Sequence, residues 1–167
     1  MRQTLRVAAY AVVVRDGRVL LARSPVPGGD PEWVLPGGGM EHGEDPYDTV
    51  RREVEEETGY RIEVTGLLGV DSVRHTFVRH LLARRAFLRP GFARRPGRRA
   101  DHHAVRLVYE GRISGGELRN ETGGSTDLAA WQPLDAVPDL LRIGMVDIGL
   151  RLWRERPAAG RVERAEG

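Results

Sequence analysis

The sequence predicts an α/β fold in which a mixed β-sheet lies between helices. Three observations carry this. Segments rich in β-formers dominate the chain, only two stretches have helical character, and those two stand far apart, one among the strands and one near the end. The 167 residues are 40% apolar and 30% charged, a length and balance that suit one domain with a substantial core. That domain is expected over residues 1–156, followed by a flexible polar tail over 157–167.

Leu5 to Val14 reads as the first strand and Val19 to Ala22 as a second. The Asp16-Gly17 pair between them marks a tight hairpin turn. Pro25 to Pro31, with Gly28-Gly29, is a loop. Trp33 to Leu35 is a brief strand, and Pro36 with Gly37-Gly38-Gly39 should end it in a sharp turn. The first helix has the plainest signals: Asp45 to cap it, Pro46 at its first position, Asp48 near its positive end and Gly59 as its stop. Short apolar stretches follow at Ile62–Val64 and Leu67–Val70. Ala104 to Tyr109 is expected as a central strand, with a hairpin-like stretch over Glu110–Leu118. Ala129 to Trp131 leads into a second helix near Pro138–Arg154, whose apolar side carries Leu140, Leu141, Met145, Ile148, Leu152 and Trp153.

Composition excludes several functions. There is no cysteine, so disulfides, thiolate metal sites and cysteine nucleophiles are ruled out. No run approaches the ~20 apolar residues of a membrane span, and the N-terminus alternates like a strand, unlike a signal peptide. A cytoplasmic location is the expectation from those features. All 26 basic residues are arginine, but a net charge of +2 is too small to argue for a polyanion partner. The run Arg79 to Arg99 holds eight of them without an acidic residue. It reads as a phosphate-binding wall, as a nucleic-acid contact or as a solvated loop, and Pro90, Gly91, Pro96 and Gly97 favour the loop. Nucleic acid is thus a disfavoured partner. His75, His80, His102 and His103 are too scattered for a zinc site, and His103, Trp33 and Trp131 are read as structural.

The chemistry concentrates on the first helix. With ~100° per residue, Glu53, Glu56 and Glu57 share one arc, Tyr47, Val50 and Val54 form the sector facing the sheet, and Arg51 and Glu55 make an i,i+4 pair in solvent. Three carboxylates on one arc repel one another unless a cation neutralises them; the alternative is a solvated charge run. Mg²⁺ or Mn²⁺ suits such oxygen ligands and leaves positions for water and phosphate. Gly37, Gly38 and Gly39 in front let backbone approach a ligand closely, and Arg52 lies where it can pair with Glu44 or Glu56 and orient them.

These residues resemble the Nudix box. Gly38, five residues, Glu44, seven more, then Arg52-Glu53-Val54-Glu55-Glu56-Glu57-Thr58-Gly59 match it, with Tyr60 where an aliphatic residue is usual. Nine constrained positions over 23 residues make a specific motif. The resemblance implies an α/β/α sandwich around a mixed sheet and metal-dependent hydrolysis of a nucleoside diphosphate linked to another group. It implies Glu53, Glu56 and Glu57 as metal ligands, Arg52 and Glu44 as organisers, and a further acid from a downstream loop. Glu121 is the first choice for that acid, ahead of Asp127 and Glu117. Water attacks phosphorus, with Glu56, Glu57 or Glu121 taking its proton. The substrate is expected to be a nucleoside triphosphate or a nucleotide-sugar-like diphosphate, since marks of the ADP-ribose, diadenosine polyphosphate, NADH and coenzyme A groups are missing. The alternatives are a nucleotide-sensing domain without catalysis and an RNA-binding module built on the arginine run. Family members often form homodimers, and the apolar N-terminal strand is the candidate contact for one.

Overall fold

The computed structural model describes residues 2–78 and 99–162. Arg79, Arg84, Arg85, Arg89, Arg94, Arg95 and Arg98, on which the phosphate-wall, nucleic-acid and loop readings of the arginine run rest, lie outside the described residues. β1 (Arg2–Arg15), β2 (Arg18–Ser24), β3 (Glu32–Val34) and β4 (Gly37–Gly39) precede α1 (Pro46–Thr58). After it come β5 (Tyr60–Val78), β6 (Arg99–Gly116), β7 (Leu128–Pro133), a 3-10 turn at Val137–Asp139 and α2 (Gly144–Glu155). The strand order is β3-β2-β1-β6-β5, with β4 paired to β1 and β7 to β2. β1 and β6 run parallel from Arg2↔Ala100 to Val13↔Gly111, while the other pairs are antiparallel, so the sheet is mixed.

The period-two alternation of the strands sorts the core into two layers. Ala9, Ala11 and Val13 of β1, with Leu20 of β2, pack against Val50 and Val54 of α1. Val12, Val19 and Leu21 point the other way, against Met145, Val146, Leu150 and Leu152 of α2. The helices therefore cover opposite faces, and the predicted α/β/α sandwich is what the chain forms. Among the described residues no helix is long and apolar enough to cross a membrane.

Several elements differ from the sequence reading. The Asp16-Gly17 hairpin forms as expected, with both residues at positive φ. Gly37–Gly39, however, is a strand on β1, and only Gly37 of the three has positive φ. The segments around Ile62 and Leu67 belong to one 19-residue strand, bent by register shifts between Arg61/Ile62, Val64/Gly66 and Leu67/Gly69. Such irregularities break the apolar alternation, and they made one long strand look like fragments. Likewise Glu110–Gly116 continues β6, with no hairpin. Helix α2 begins at Gly144; Pro138 sits in the preceding 3-10 turn. Residues 157–162, read as frayed, run along β5: the Val70 N–H donates to Gly160 O at 2.8 Å, and Val162 packs on the core.

Candidate active site

Helix α1 is set by its own ends. The Asp45 side chain accepts from the Tyr47 N–H at 2.8 Å, Pro46 fills the first helical position, and Gly59 closes the helix at φ 77°. Alanine at positions 9 and 11 keeps the underlying sheet low, so the helix lies against β1 and β4 and its carboxylate arc reaches the glycine strand. Val50 and Val54 are fully buried, as the wheel requires. Tyr47 is exposed: it sits in the first turn, at the solvent edge of its sector, with the Arg51 guanidinium 5.7 Å from its ring centre. Arg51 pairs with Asp48 at 3.7 Å and Glu55 with Arg61 at 4.0 Å, in place of the expected pairing with each other.

The glycines are there for space. A Cβ on Gly38 would stand 2.5 Å from the Glu53 carboxylate, and one on Gly39 would stand 2.8 Å from Arg6 Nη2. A Cβ on Gly37 would collide with backbone, namely Ala9 O and Tyr10 Cα. The strand is thus a thin wall, with Glu53 against one residue and Arg6 against the next. A cavity of about 220 Å³ opens here, lined by Gly37–Gly39, Glu53, Glu57 and Arg6, with Tyr10, Val34 and Ile143 on its apolar side.

Arg52 organises one half of the carboxylate group. Its Nε and Nη2 donate to the two Glu44 oxygens at 2.8 and 2.9 Å, and Nη1 donates to Glu53 Oε1 at 2.9 Å and to Glu56 Oε2 at 3.2 Å. The fork-like fit to Glu44 holds that carboxyl down to about 2. Glu44 in turn accepts from the Glu41 N–H at 3.0 Å, which ties the loop before the helix to the site. Both partners that the sequence offered Arg52 are therefore used at once.

Glu57 is held differently. It is only 2% exposed, its Oε2 accepts from the Gly37 N–H at 2.9 Å, and its Oε1 accepts from Ser125 Oγ at 3.4 Å. Burial pushes its pKa up to about 8; the Gly37 hydrogen bond works against this, and the charges of Glu53 and Glu121 add to it. Burial likewise raises Glu53, partly offset by Arg52. Glu121 belongs to the group, since its charge acts on both, but its Oε2 accepts from the Thr126 N–H and hydroxyl at 2.9 and 2.8 Å. Of the other two downstream acids, Asp127 is paired with Arg23 at 2.9 Å, and the Glu117 carbonyl closes on Gly59.

The donor set fits a hard divalent cation. Every donor is an oxygen, and among the described residues two of the carboxylates, Glu53 and Glu57, are desolvated with no cation to offset them beyond the Arg52 contact to Glu53. Among the described residues no three acidic or histidine side chains converge on one point as they stand. The hydrogen bonds explain this: Arg52 draws Glu53 and Glu56 to itself, while Gly37 holds Glu57.

Residues that sequence reasoning missed line the same cavity: Arg6, Tyr10, Ser24, Ser125, Thr126 and Ile143. Arg6 had one legible sign, a charge on the strand face shared with buried Ala8 and Val12. Ser125 and Thr126 come from a loop with no local pattern. His103 is bonded to Ser72 at 2.7 Å, and Trp131 packs on Tyr60 with ring centres 6.0 Å apart, both consistent with structural roles.

Known proteins resemble the chain throughout. A MutT NUDIX hydrolase structure from Burkholderia pseudomallei is similar at TM-score 0.59 and 30% identity, covering 86% of this chain and 95% of that one. The nucleoside triphosphatase NudI of Enterobacter sp. (strain 638) is 39% identical over 72 residues, 40% of this chain and 48% of that protein. The putative ADP-ribose pyrophosphatase YjhB of Bacillus subtilis (strain 168) is 31% identical over 129 residues, 77% of this chain and 50% of that protein. The chain spans half or less of the length of the curated relatives it matches. The family model described as NUDIX domain matches residues 4–152, from the first strand to the last turns of α2, and the chain belongs to that family.

Proposed function

We propose that the chain is a Nudix hydrolase dependent on Mg²⁺ or Mn²⁺. It cleaves the diphosphate linkage of a nucleoside triphosphate or a nucleotide-sugar-like compound by attack of water on phosphorus. The observation that carries this is the placing of Glu53 and Glu57, on α1, against the side-chain-free strand Gly37–Gly39 at the edge of a cavity.

Glu53, Glu56 and Glu57 are the residues to hold the metal. When bound, the ion supplies positive charge against the phosphoryl oxygens and lowers the pKa of a water molecule. The protein's own groups do the rest. Gly37, Gly38 and Gly39 carry no side chains of their own, which leaves room for Glu53 and Arg6 to stand against backbone at the substrate cavity. Arg52, fixed by Glu44, sets the direction of Glu53 and Glu56, as an outer partner of a metal ligand does.

Glu56 is the proton acceptor that the arrangement favours. Its side chain is 51% exposed and one oxygen alone is engaged, so water has access to the other. Glu57 has both oxygens occupied inside the protein, and Glu121 is committed to Thr126. The proton passes from water to Glu56, the new oxygen–phosphorus bond forms, and the leaving phosphate departs with the electrons of the broken bond.

Among the relatives, NudI is named a nucleoside triphosphatase and YjhB a putative ADP-ribose pyrophosphatase, so the test spans both substrate classes. The protein is incubated with Mg²⁺ or Mn²⁺ and a panel of nucleoside triphosphates, nucleotide sugars, ADP-ribose and dinucleoside polyphosphates, with products resolved by mass. Expected is metal-dependent cleavage lost in Glu56→Gln and Glu57→Gln. Tight binding of one compound with no turnover of any would overturn the reading in favour of a sensor.

A further inference from the structure

We propose that Arg6 is a phosphate-binding residue that makes the site prefer a substrate ending in a free phosphate, a nucleoside triphosphate, over one capped by a sugar. This rests on the hydrolase reading above and narrows its substrate class.

Arg6 stands on β1 two residues before Ala8, which pairs with Gly39. Its Nη2 and Nε lie 2.8 and 2.9 Å from where a Gly39 Cβ would be, so the guanidinium lies against bare backbone. On the neighbouring residue, Gly38, the corresponding position is taken by the Glu53 carboxylate. Successive residues of a strand face opposite ways, so the two groups flank the glycine strand from its two sides while lining one cavity. A phosphate chain across this strand has the acidic, metal-binding wall at one phosphorus and a guanidinium at another.

Other arginines near the cleft are committed. Arg52 serves Glu44, Glu53 and Glu56; Arg23 is paired with Asp127, and Arg106 with Asp71. Among the described residues Arg6 has no ion pair or hydrogen bond, and among the described lining residues it is the one cation. An uncommitted planar guanidinium suits the paired oxygens of a phosphate. A terminal phosphate offers three such oxygens and the higher charge, whereas a sugar ester offers two and adds bulk. Bulk matters here. The cavity of about 220 Å³ lies below the ~300–1,000 Å³ of pockets that enclose a whole drug-sized ligand, so it is sized to a phosphate chain, and a sugar on the last phosphate would crowd the Arg6 guanidinium.

Arg6 is exposed, so its replacement is expected to leave the fold intact, which the melting temperature of each variant checks. The test compares wild type, Arg6→Ala and Arg6→Lys on each common nucleoside triphosphate and on UDP- and GDP-sugars. In parallel, the triphosphate Kd is titrated in the Glu56→Gln background with and without Arg6→Ala. Expected is a rise in KM and Kd for triphosphates of roughly 10- to 100-fold in Arg6→Ala, the range for losing a charged hydrogen-bond pair. Further expectations are kcat within about threefold, sugar-diphosphate turnover little changed and partial recovery in Arg6→Lys, which keeps charge without the fork. Equal losses on both substrate classes, or an unchanged triphosphate Kd, would overturn the proposal even if hydrolysis is confirmed. A Kd that rises as expected in a protein that turns over nothing would instead sink the hydrolase reading and leave the Arg6 assignment standing.

Discussion

The two helices cover opposite faces of one sheet and are specified in different ways. Helix α1 is defined locally: Asp45 caps its start, Pro46 occupies its first position and Gly59 ends it. Helix α2 has none of these. Ile143 at its start offers no side-chain cap, and the residue in left-handed conformation at its end is Arg156, at φ 44°. What α2 has is hydrocarbon, with Met145, Val146, Leu150 and Leu152 buried against the larger core layer. α1 buries two valines, two threonines and a glutamate. A helix held by its own termini can spend its inward face on carboxylates, while a helix held by packing cannot. The difference separates the face of the sheet that carries the candidate site from the face that buries most of the hydrocarbon.

Substitutions on the two faces should therefore fail in different assays. Glu56→Gln on α1 is expected to lower kcat by about 10²–10⁴-fold, the range for removing a general base, with the melting temperature nearly unchanged. Leu152→Ala on α2 removes a fully buried side chain and is expected to cost about 2–5 kcal/mol in denaturant unfolding, with kcat per folded molecule preserved. A Leu152→Ala protein that stays folded but loses kcat would break the separation.

Gly38→Ala sharpens it. The added methyl meets the end of the Glu53 side chain, which can swing away, so the fold survives while the carboxylate is displaced. A loss of metal affinity or activity of about 10–100-fold is expected, measured by Mn²⁺ titration and initial rates, with stability changed by less than about 1 kcal/mol. Gly37→Ala meets backbone instead and should fail by unfolding, so the pair of variants tells the ligand-facing glycine from the structural one.

The same contrast explains what could be read in the sequence. α1 was legible to the residue, from Pro46 to Thr58, because caps and a stop are local signals. The contacts of Arg52 with Glu44 and Glu56 are the two pairings that its place beside the carboxylate arc offers. α2 was misplaced at its start, since Pro138 looks like a helix opener and only packing selects Gly144. β5 and β6 were read as fragments because bulges shift the alternation and both strands are longer than the usual 3–10 residues. Gly37–Gly39 was read as a turn because no side-chain pattern marks a glycine strand; its pairing depends on β1, which lies nearly thirty residues earlier. Arg6, Ser24, Ser125 and Thr126 meet only through that tertiary arrangement, so the box located the carboxylate wall and left the opposite wall unread.

The smallest effect belongs to the end of α2. Glu110 on β6 accepts from Arg156 at 2.5 and 3.1 Å and from Trp153 Nε1 at 3.1 Å, a tie that stands in for the missing glycine stop. The Arg156 guanidinium holds the Glu110 carboxyl below its ordinary 4.5. A carboxyl depressed in the folded state contributes stability above its unfolded pKa and loses it as pH falls through the folded value. Wild type should therefore lose stability below pH 4.5 more steeply than Glu110→Gln, by less than about 1 kcal/mol because Arg156 is half exposed. Above pH 6 the gap between the two proteins should be constant. Thermal melts from pH 3 to 7 read both quantities. Parallel slopes across the acid range would mean that hydrocarbon burial alone holds α2 and that Glu110 adds nothing to it.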